Sequence, residues 1–374
     1  MKKRVFYVIA SLFLFLTLSS CSKKDNDDTT IITDMVGRDV EIKAGSYERV
    51  VCIGAGALRL YSYVGDVNKL CGVEDIDNDS LNQRPKIFDS VARPYFIAYK
   101  DVFNKLPSCG VGGPQAQTAE SEKILACNPD IVISEYEDVD KENALQDQLG
   151  VPVITVRYGS KGVFDDNIKN SINLLGEIFN LSDRALKLNN FILSEKNKII
   201  DKVKNANSSK KVYICGLGNW GTTNHLMTAQ NYEPFNVAKI NNAVNDLAFN
   251  GVGKIEEEKF ESLANDIDIL IIDSAAIKNI NDKSVFANVK AWKNGEVYLQ
   301  MAYNAYYTNI EIALINTWFN AKIVYPLLFS DIDMKDKTNE VTKAFLGVEL
   351  ADMIYAYPNS FSGYKKMNTE TFPN

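Results

Sequence analysis

Short β-branched runs alternate with stretches of helical apolar spacing through most of this chain, and few architectures accept that order. Strands that alternate with helices pack as parallel sheets with helices on their faces, so the chain reads as α/β. In the first half the strand candidates are Val50 to Gly54, Leu70 to Val73, Ile131 to Ser134 and Val153 to Val156. Helix candidates lie between them at Ala57 to Val64, Glu120 to Cys127 and Glu142 to Leu149. The second half repeats the scheme, with strands at Val212 to Cys215, Ile269 to Asp273 and Val297 to Leu299. Its helices read at Glu257 to Ala264, Thr308 to Tyr325 and Met334 to Phe345.

Between the halves, Val163 to Val203 has no strand character and carries apolar residues at helical spacing, from Ile168 and Ile172 to Ile199 and Val203. Asn180-Leu181-Ser182-Asp183 breaks this stretch, and Ser182 or Asp183 is the expected N-cap of a second helix running to about Lys204. The pattern predicts two Rossmann-like lobes with mostly parallel central sheets, joined by a single long α-helix, with a ligand cleft between them. Expected boundaries are 33–182 for the first lobe, 183–205 for the connecting helix and 206–374 for the second lobe.

Residues 1–21 read as a lipoprotein export signal. Lys2, Lys3 and Arg4 open it, Val5 to Leu18 is apolar, and Leu18-Ser19-Ser20-Cys21 ends on the cysteine that would take the lipid. Its apolar run is too short to span a bilayer core of roughly 30 Å as a helix. Residues 22–32, polar at their start, read as a flexible tether. The chain holds 41 basic and 48 acidic residues, and loss of Lys2, Lys3 and Arg4 takes the net charge from −7 to −10. Such an excess argues against nucleic acid or anionic lipid as a partner, since both need a cationic face. With a single histidine, His225, and cysteines scattered singly, neither a Cys/His zinc site nor another resident metal or cofactor is expected.

The segment Thr33-Asp34-Met35-Val36-Gly37-Arg38-Asp39-Val40-Glu41-Ile42, followed by Glu48-Arg49-Val50-Val51, resembles the opening of substrate-binding proteins of ABC importers for iron-siderophore complexes, haem and cobalamin. Glu122 to Asp130 is similar to the family's Glu-x-Ile-x-x-x-x-Pro-Asp, and Ala291 to Tyr298 to its late Lys-Asn-Gly-x-Val-Tyr turn and strand. The resemblance implies a monomeric, membrane-anchored, non-enzymatic receptor that takes a small-molecule metal chelate and delivers it to an ABC permease. The iron-siderophore type is the first expectation, with haem or a corrinoid as the alternative. It also implies one permease-docking glutamate per lobe, at Glu122 and Glu258, with Glu256 or Glu257 as substitutes for the second.

Open parallel sheets bind ligands beyond the carboxyl ends of their strands. Arg59, in the first turn of a predicted helix, is placed to meet an anionic group. Aromatic residues gather on the loops that should converge: Tyr95, Phe96 and Tyr99 in one lobe, and Trp220, Tyr303, Tyr306 and Tyr307 in the other. Flat walls with hydroxyl or indole handles suit a ring-bearing chelate, and Arg93 and Arg157 would add charge. Spacing also allows Tyr303, Tyr306 and Tyr307 to be core. Gly216-Leu217-Gly218-Asn219-Trp220-Gly221 matches GxGxxG, but Trp220 is bulky where that turn must hug phosphates, which disfavours a dinucleotide oxidoreductase. Neither GxSxG nor HExxH is present to support an exported hydrolase.

Overall fold

The computed structural model describes residues 29–114, 116, 118–218, 224–280 and 282–372, so Cys21 with the export signal, and Trp220, lie outside the described residues. The chain first forms an antiparallel hairpin of β1 (Thr30–Thr33) and β2 (Asp39–Ile42). Asp34 closes its turn, accepting from the backbone N–H groups of Val36 and Arg38 and from the Arg38 guanidinium. Arg38 and Asp34 are both buried, so this pair fixes the hairpin rather than decorating it.

Five strands then build the first sheet: β3 (Val50–Ile53), β4 (Leu70–Glu74), β5 (Ser108–Gly110), β6 (Ile131–Ser134) and β7 (Val153–Thr155). They run parallel in the order β5-β4-β3-β6-β7. Every residue of β3, β4 and β6 is buried, because helices cover both faces, which is why these strands read as unbroken apolar runs. The covering helices are α1 (Ala57–Val64), α2 (Pro94–Phe103), α3 (Ser121–Ala126) and α4 (Val139–Leu149). The last begins three residues before its expected start because Asp138 caps it, accepting from Lys141 N–H. Helix α2 was not foreseen, since Tyr95, Phe96, Ile97 and Phe103 are all buried and leave no amphipathic stripe.

Helices α5 (Asp166–Ile178) and α6 (Ser182–Val203) follow as an antiparallel pair. Gly176 lets them touch, since a Cβ there would lie 2.6 Å from Ala185 Cβ. The expected caps Ser182 and Asp183 are already helical; the N-cap is Leu181, which makes no side-chain bond. Beyond α6 the second sheet begins with β8 (Lys211–Cys215), followed by a separate antiparallel pair, β9 (Met227–Gln230) and β11 (Gly251–Lys254). Strands β10 (Asn241–Asn242), β12 (Ile267–Asp273), β13 (Val297–Gln300) and β14 (Lys365–Lys366) complete the order β10-β8-β12-β13-β14, parallel except at β14.

Around this sheet lie α7 (Glu233–Val237), α8 (Glu257–Leu263), α9 (Lys290–Lys293), α10 (Ile310–Val324), α11 (Met334–Leu346) and α12 (Ala351–Tyr355). Helix α10 is buried almost all round, being packed by α6, α7 and α11. One apolar cluster includes Val50 and Ile131 of the first sheet together with Ile214 and Ile271 of the second. Tyr63 of α1 meets Phe345 of α11 edge to face at 4.9 Å, so the two sheets share a continuous interior. Among the described residues no helix is long and apolar enough to cross a membrane.

Candidate functional site

Parallel strands end on one edge of their sheet, so the loops after β3, β6 and β7 emerge together. They face the β9–α7 turn and the loop after β13 across a cavity of about 520 Å³. The first lobe contributes Ala55, Glu135, Tyr136, Gly159 and Ser160. The second contributes Gln230, Asn231, Tyr232, Glu233 and, after β13, Tyr303, Asn304 and Tyr307.

The loop after β13 holds an unusual backbone. Tyr306 and Tyr307 have φ of 51° and 71°, left-handed values that cost a bulky residue energy unless surrounding structure imposes them. Arg59 supplies that structure. Fully buried, its guanidinium donates to the carbonyls of Ala305 (2.5 Å), Tyr306 (3.0 Å) and Thr308 (2.9 Å), to Asn309 Oδ1 (3.1 Å) and to the Tyr158 hydroxyl (3.3 Å). Burial opposes its charge, but the oxygens of Tyr158, Tyr95, Tyr63 and Glu311 outweigh that and hold it ionised. Tyr306 reaches into the first lobe, where its hydroxyl donates to Glu74 Oε2 at 2.6 Å while Gly54 N–H donates to Oε1 at 3.0 Å. Burial pushes the Glu74 carboxyl up to about 7 despite both bonds. Tyr307 then packs its ring against Tyr158, centroids 4.5 Å apart, and forms part of the cleft wall.

Glu135 follows β6 directly and faces the cavity, with 8% of its surface exposed. Its carboxyl makes no hydrogen bond to any other described residue. Burial, reinforced by Glu137 and opposed by Arg157, pushes it up to about 9. Glu233, across the cavity, is ion-paired with Lys196 at 3.6 Å. No group of three or more His, Cys, Asp or Glu side chains among the described residues is arranged to hold a bare metal ion.

Comparison with known proteins decides the lineage: the family model described as periplasmic binding protein matches residues 50–302. The chain belongs to the periplasmic binding protein family. Solved structures of similar fold include a periplasmic solute binding protein from Veillonella parvula, with a TM-score of 0.66 and 19% identity over 88% of this chain and 96% of that one. The molybdate periplasmic binding protein MolA of Haemophilus influenzae matches with a TM-score of 0.65 and 17% identity, covering 86% and 98%. CeuE of Helicobacter pylori with Ni(II) bound gives 0.58 and 15%, covering 85% and 96%. No curated protein sequence matches significantly.

As a periplasmic binding protein, the chain is a solute-binding component of an ABC transporter and acts outside the cytoplasm. Its expected ligand residues fall in several places. Tyr303 and Tyr307 line the cleft. Tyr306 is buried beneath it. Arg59 was expected at an anionic ligand, yet it is enclosed and spends its donors on the loop after β13. Arg93 and Tyr95 are likewise interior, both bound to Asp77. The Tyr99 hydroxyl donates to Leu346 O, away from the cleft. Arg157 pairs with Glu137 at 2.5 Å beside the cleft. The docking candidates Glu122 and Glu258 are exposed in the first turns of α3 and α8, whereas Glu257 meets His225 at 3.2 Å. The carboxyl-edge rule points to the loop Glu135 to Glu137 after a buried strand, and Glu135 and Tyr136 of that loop do line the cleft. Sequence reasoning missed Tyr232 and Glu233, because nothing announced the β9–α7 turn.

Proposed function

We propose that this protein is a lipid-anchored, non-catalytic receptor that captures a metal chelate of the iron-siderophore type between its lobes and delivers it to an ABC permease. The cavity of about 520 Å³ walled by both lobes carries this reading, because it is sized for a compact organic complex and framed by tyrosines. The chain offers no cluster for a bare ion among the described residues, which favours a metal already wrapped in its chelator. Haem or a corrinoid is the alternative cargo of the same reading, and a periplasmic heme binding protein of Pseudomonas aeruginosa shares the fold with a TM-score of 0.51.

Anchoring rests on Cys21, with the tether leaving the folded body free to meet the permease. Glu122 and Glu258 are the proposed docking carboxylates, one per lobe. Each sits at the start of a helix that precedes a parallel strand, which puts both on the carboxyl-edge side of their sheets, where the cleft opens. The test is the absorption spectrum and native mass of protein purified from its own host. Charge-transfer bands with a matching mass increment support a ferric chelate, and a Soret or corrin spectrum supports the alternative. A chain that comes without cargo and binds none of these complexes on titration refutes the receptor reading.

A further inference from the structure

Accepting that the cleft takes a metal complex, we propose that its cargo is neutral or cationic and that Glu135 supplies the contact which selects against anionic complexes. Three observations converge on this. The first is the composition of the wall: among its described residues there is no Lys, Arg or His, while Glu135 and Glu233 contribute carboxyls and four tyrosines contribute rings. An incoming anion therefore meets no lining cation.

The second is that nearby cations are already engaged. Arg157 is paired with Glu137, Lys196 with Glu233, and Arg59 and Arg93 are enclosed with their own acceptors. Turning Arg59 or Arg93 to the cargo would strand buried acceptors, and turning Arg157 or Lys196 would exchange an existing carboxylate partner for the cargo.

The third is Glu135 itself. The residue is 8% exposed, its carboxyl opens onto the cavity, and no described residue donates a hydrogen bond to it. Buried polar groups are nearly always paired, so an unpaired one facing an open cavity marks the place of a ligand group. An ammonium, an amide N–H or the positive face of a complex completes it.

The groups facing Glu135 set the pH response: Glu137 and Arg157 beside it, Glu74 from β4, and Tyr307 from the opposite lobe. With its carboxyl pushed up to about 9, Glu135 is protonated in the empty protein at neutral pH. A cationic cargo drives that proton off, so its affinity rises between pH 6 and pH 9. An anionic oxygen accepting from the protonated acid would show the reverse trend.

The test is calorimetric titration of the mature chain with ferric complexes of graded charge: a monocationic trihydroxamate, a neutral trihydroxamate and a trianionic tricatecholate. Expected is binding of the first two, with the tricatecholate weaker by at least about tenfold. Glu135→Gln should remove the advantage of the cation, bringing the affinity ratio of the monocationic to the neutral complex down to about one. That variant breaks no internal bond, and the comparison among complexes on the unmodified chain stands without it. Equal or tighter binding of the tricatecholate, or cation affinity that falls as pH rises, overturns the inference while leaving the receptor reading intact. Failure of every complex, haem and cobalamin included, removes the receptor reading and this inference together.

Discussion

Replacing Arg59 with methionine separates a structural arginine from a ligand-binding one. The substitution keeps most of the stem volume of a fully buried side chain and removes its charge and donors. Three carbonyls of the loop after β13 and the Asn309 amide oxygen lose this donor at once, while the Tyr158 hydroxyl keeps its bond to Gly56 O. A buried acceptor left unsatisfied costs about 1–3 kcal/mol, and Ala305 and Tyr306 are both fully enclosed. Contact of the guanidinium with the Tyr95 ring, 4.8 Å from its centroid, is lost as well. Relaxation and water will offset part of this, so we expect a loss of about 3–5 kcal/mol, a large share of the roughly 5–15 kcal/mol that holds a typical domain. The assay is urea unfolding followed by both far-ultraviolet circular dichroism and tyrosine fluorescence. Because Arg59 ties α1 to the second lobe, the two probes should also cease to coincide. A variant that unfolds within 1 kcal/mol of the parent but no longer binds cargo would refute this account and return Arg59 to the ligand.

Other changes test neighbouring parts of the argument. Gly56→Ala should destabilise the protein by about 2–4 kcal/mol on chemical unfolding, because φ is +92° there and the new Cβ would collide with Tyr158. Tyr307→Gly relieves a left-handed tyrosine worth about 1 kcal/mol but deletes cleft wall and the ring packed on Tyr158, so cargo affinity should fall at least about tenfold and the unfolding midpoint should fall as well. Glu122→Ala combined with Glu258→Ala should leave cargo affinity unchanged and abolish uptake in cells; weakened binding by the purified variant would contradict the docking role. Burial pushes Glu74, Glu142 and Asp273 up to about 7 each. A folded chain that holds these protons after the unfolded chain has released them is most favoured at low pH, and the advantage is lost as pH rises from about 4 through 7. Unfolding free energy should therefore be a few kcal/mol higher at pH 5 than at pH 8, and greater stability at pH 8 would sink that reading.

The anchoring of the loop after β13 bears on how the receptor works. Arg59, Tyr306 and Asn309 bridge the lobes from one side; Arg184 of α6 bridges them from another, donating to Tyr63 O, Ala344 O and Phe345 O. Large hinge motion would break several of these buried bonds together. The cleft is thus presented nearly preformed, which limits the ordering cost of binding.

Much of this molecule is local in origin, and local features were legible in the chain. Buried strands such as Ile131–Ser134 and the α5–α6 pair declare themselves because residues a few positions apart share one environment, so periodicity alone reveals them. Two sheets with helices between them follow from that order of elements. The cleft contacts depend on separations that periodicity cannot carry. Arg59 looks like an anion site at the start of a helix, yet its partners lie about 250 residues away on a loop whose path the second lobe dictates. Glu135 is legible as a cleft-loop acid past a buried strand; only the covering lobe leaves it 8% exposed on a cavity wall. The amino-acid order by itself determined the elements and their succession. Only the docking of one lobe on the other decided which side chains are masonry and which face the cargo, because burial and hydrogen bonding across that junction are properties of the assembled pair.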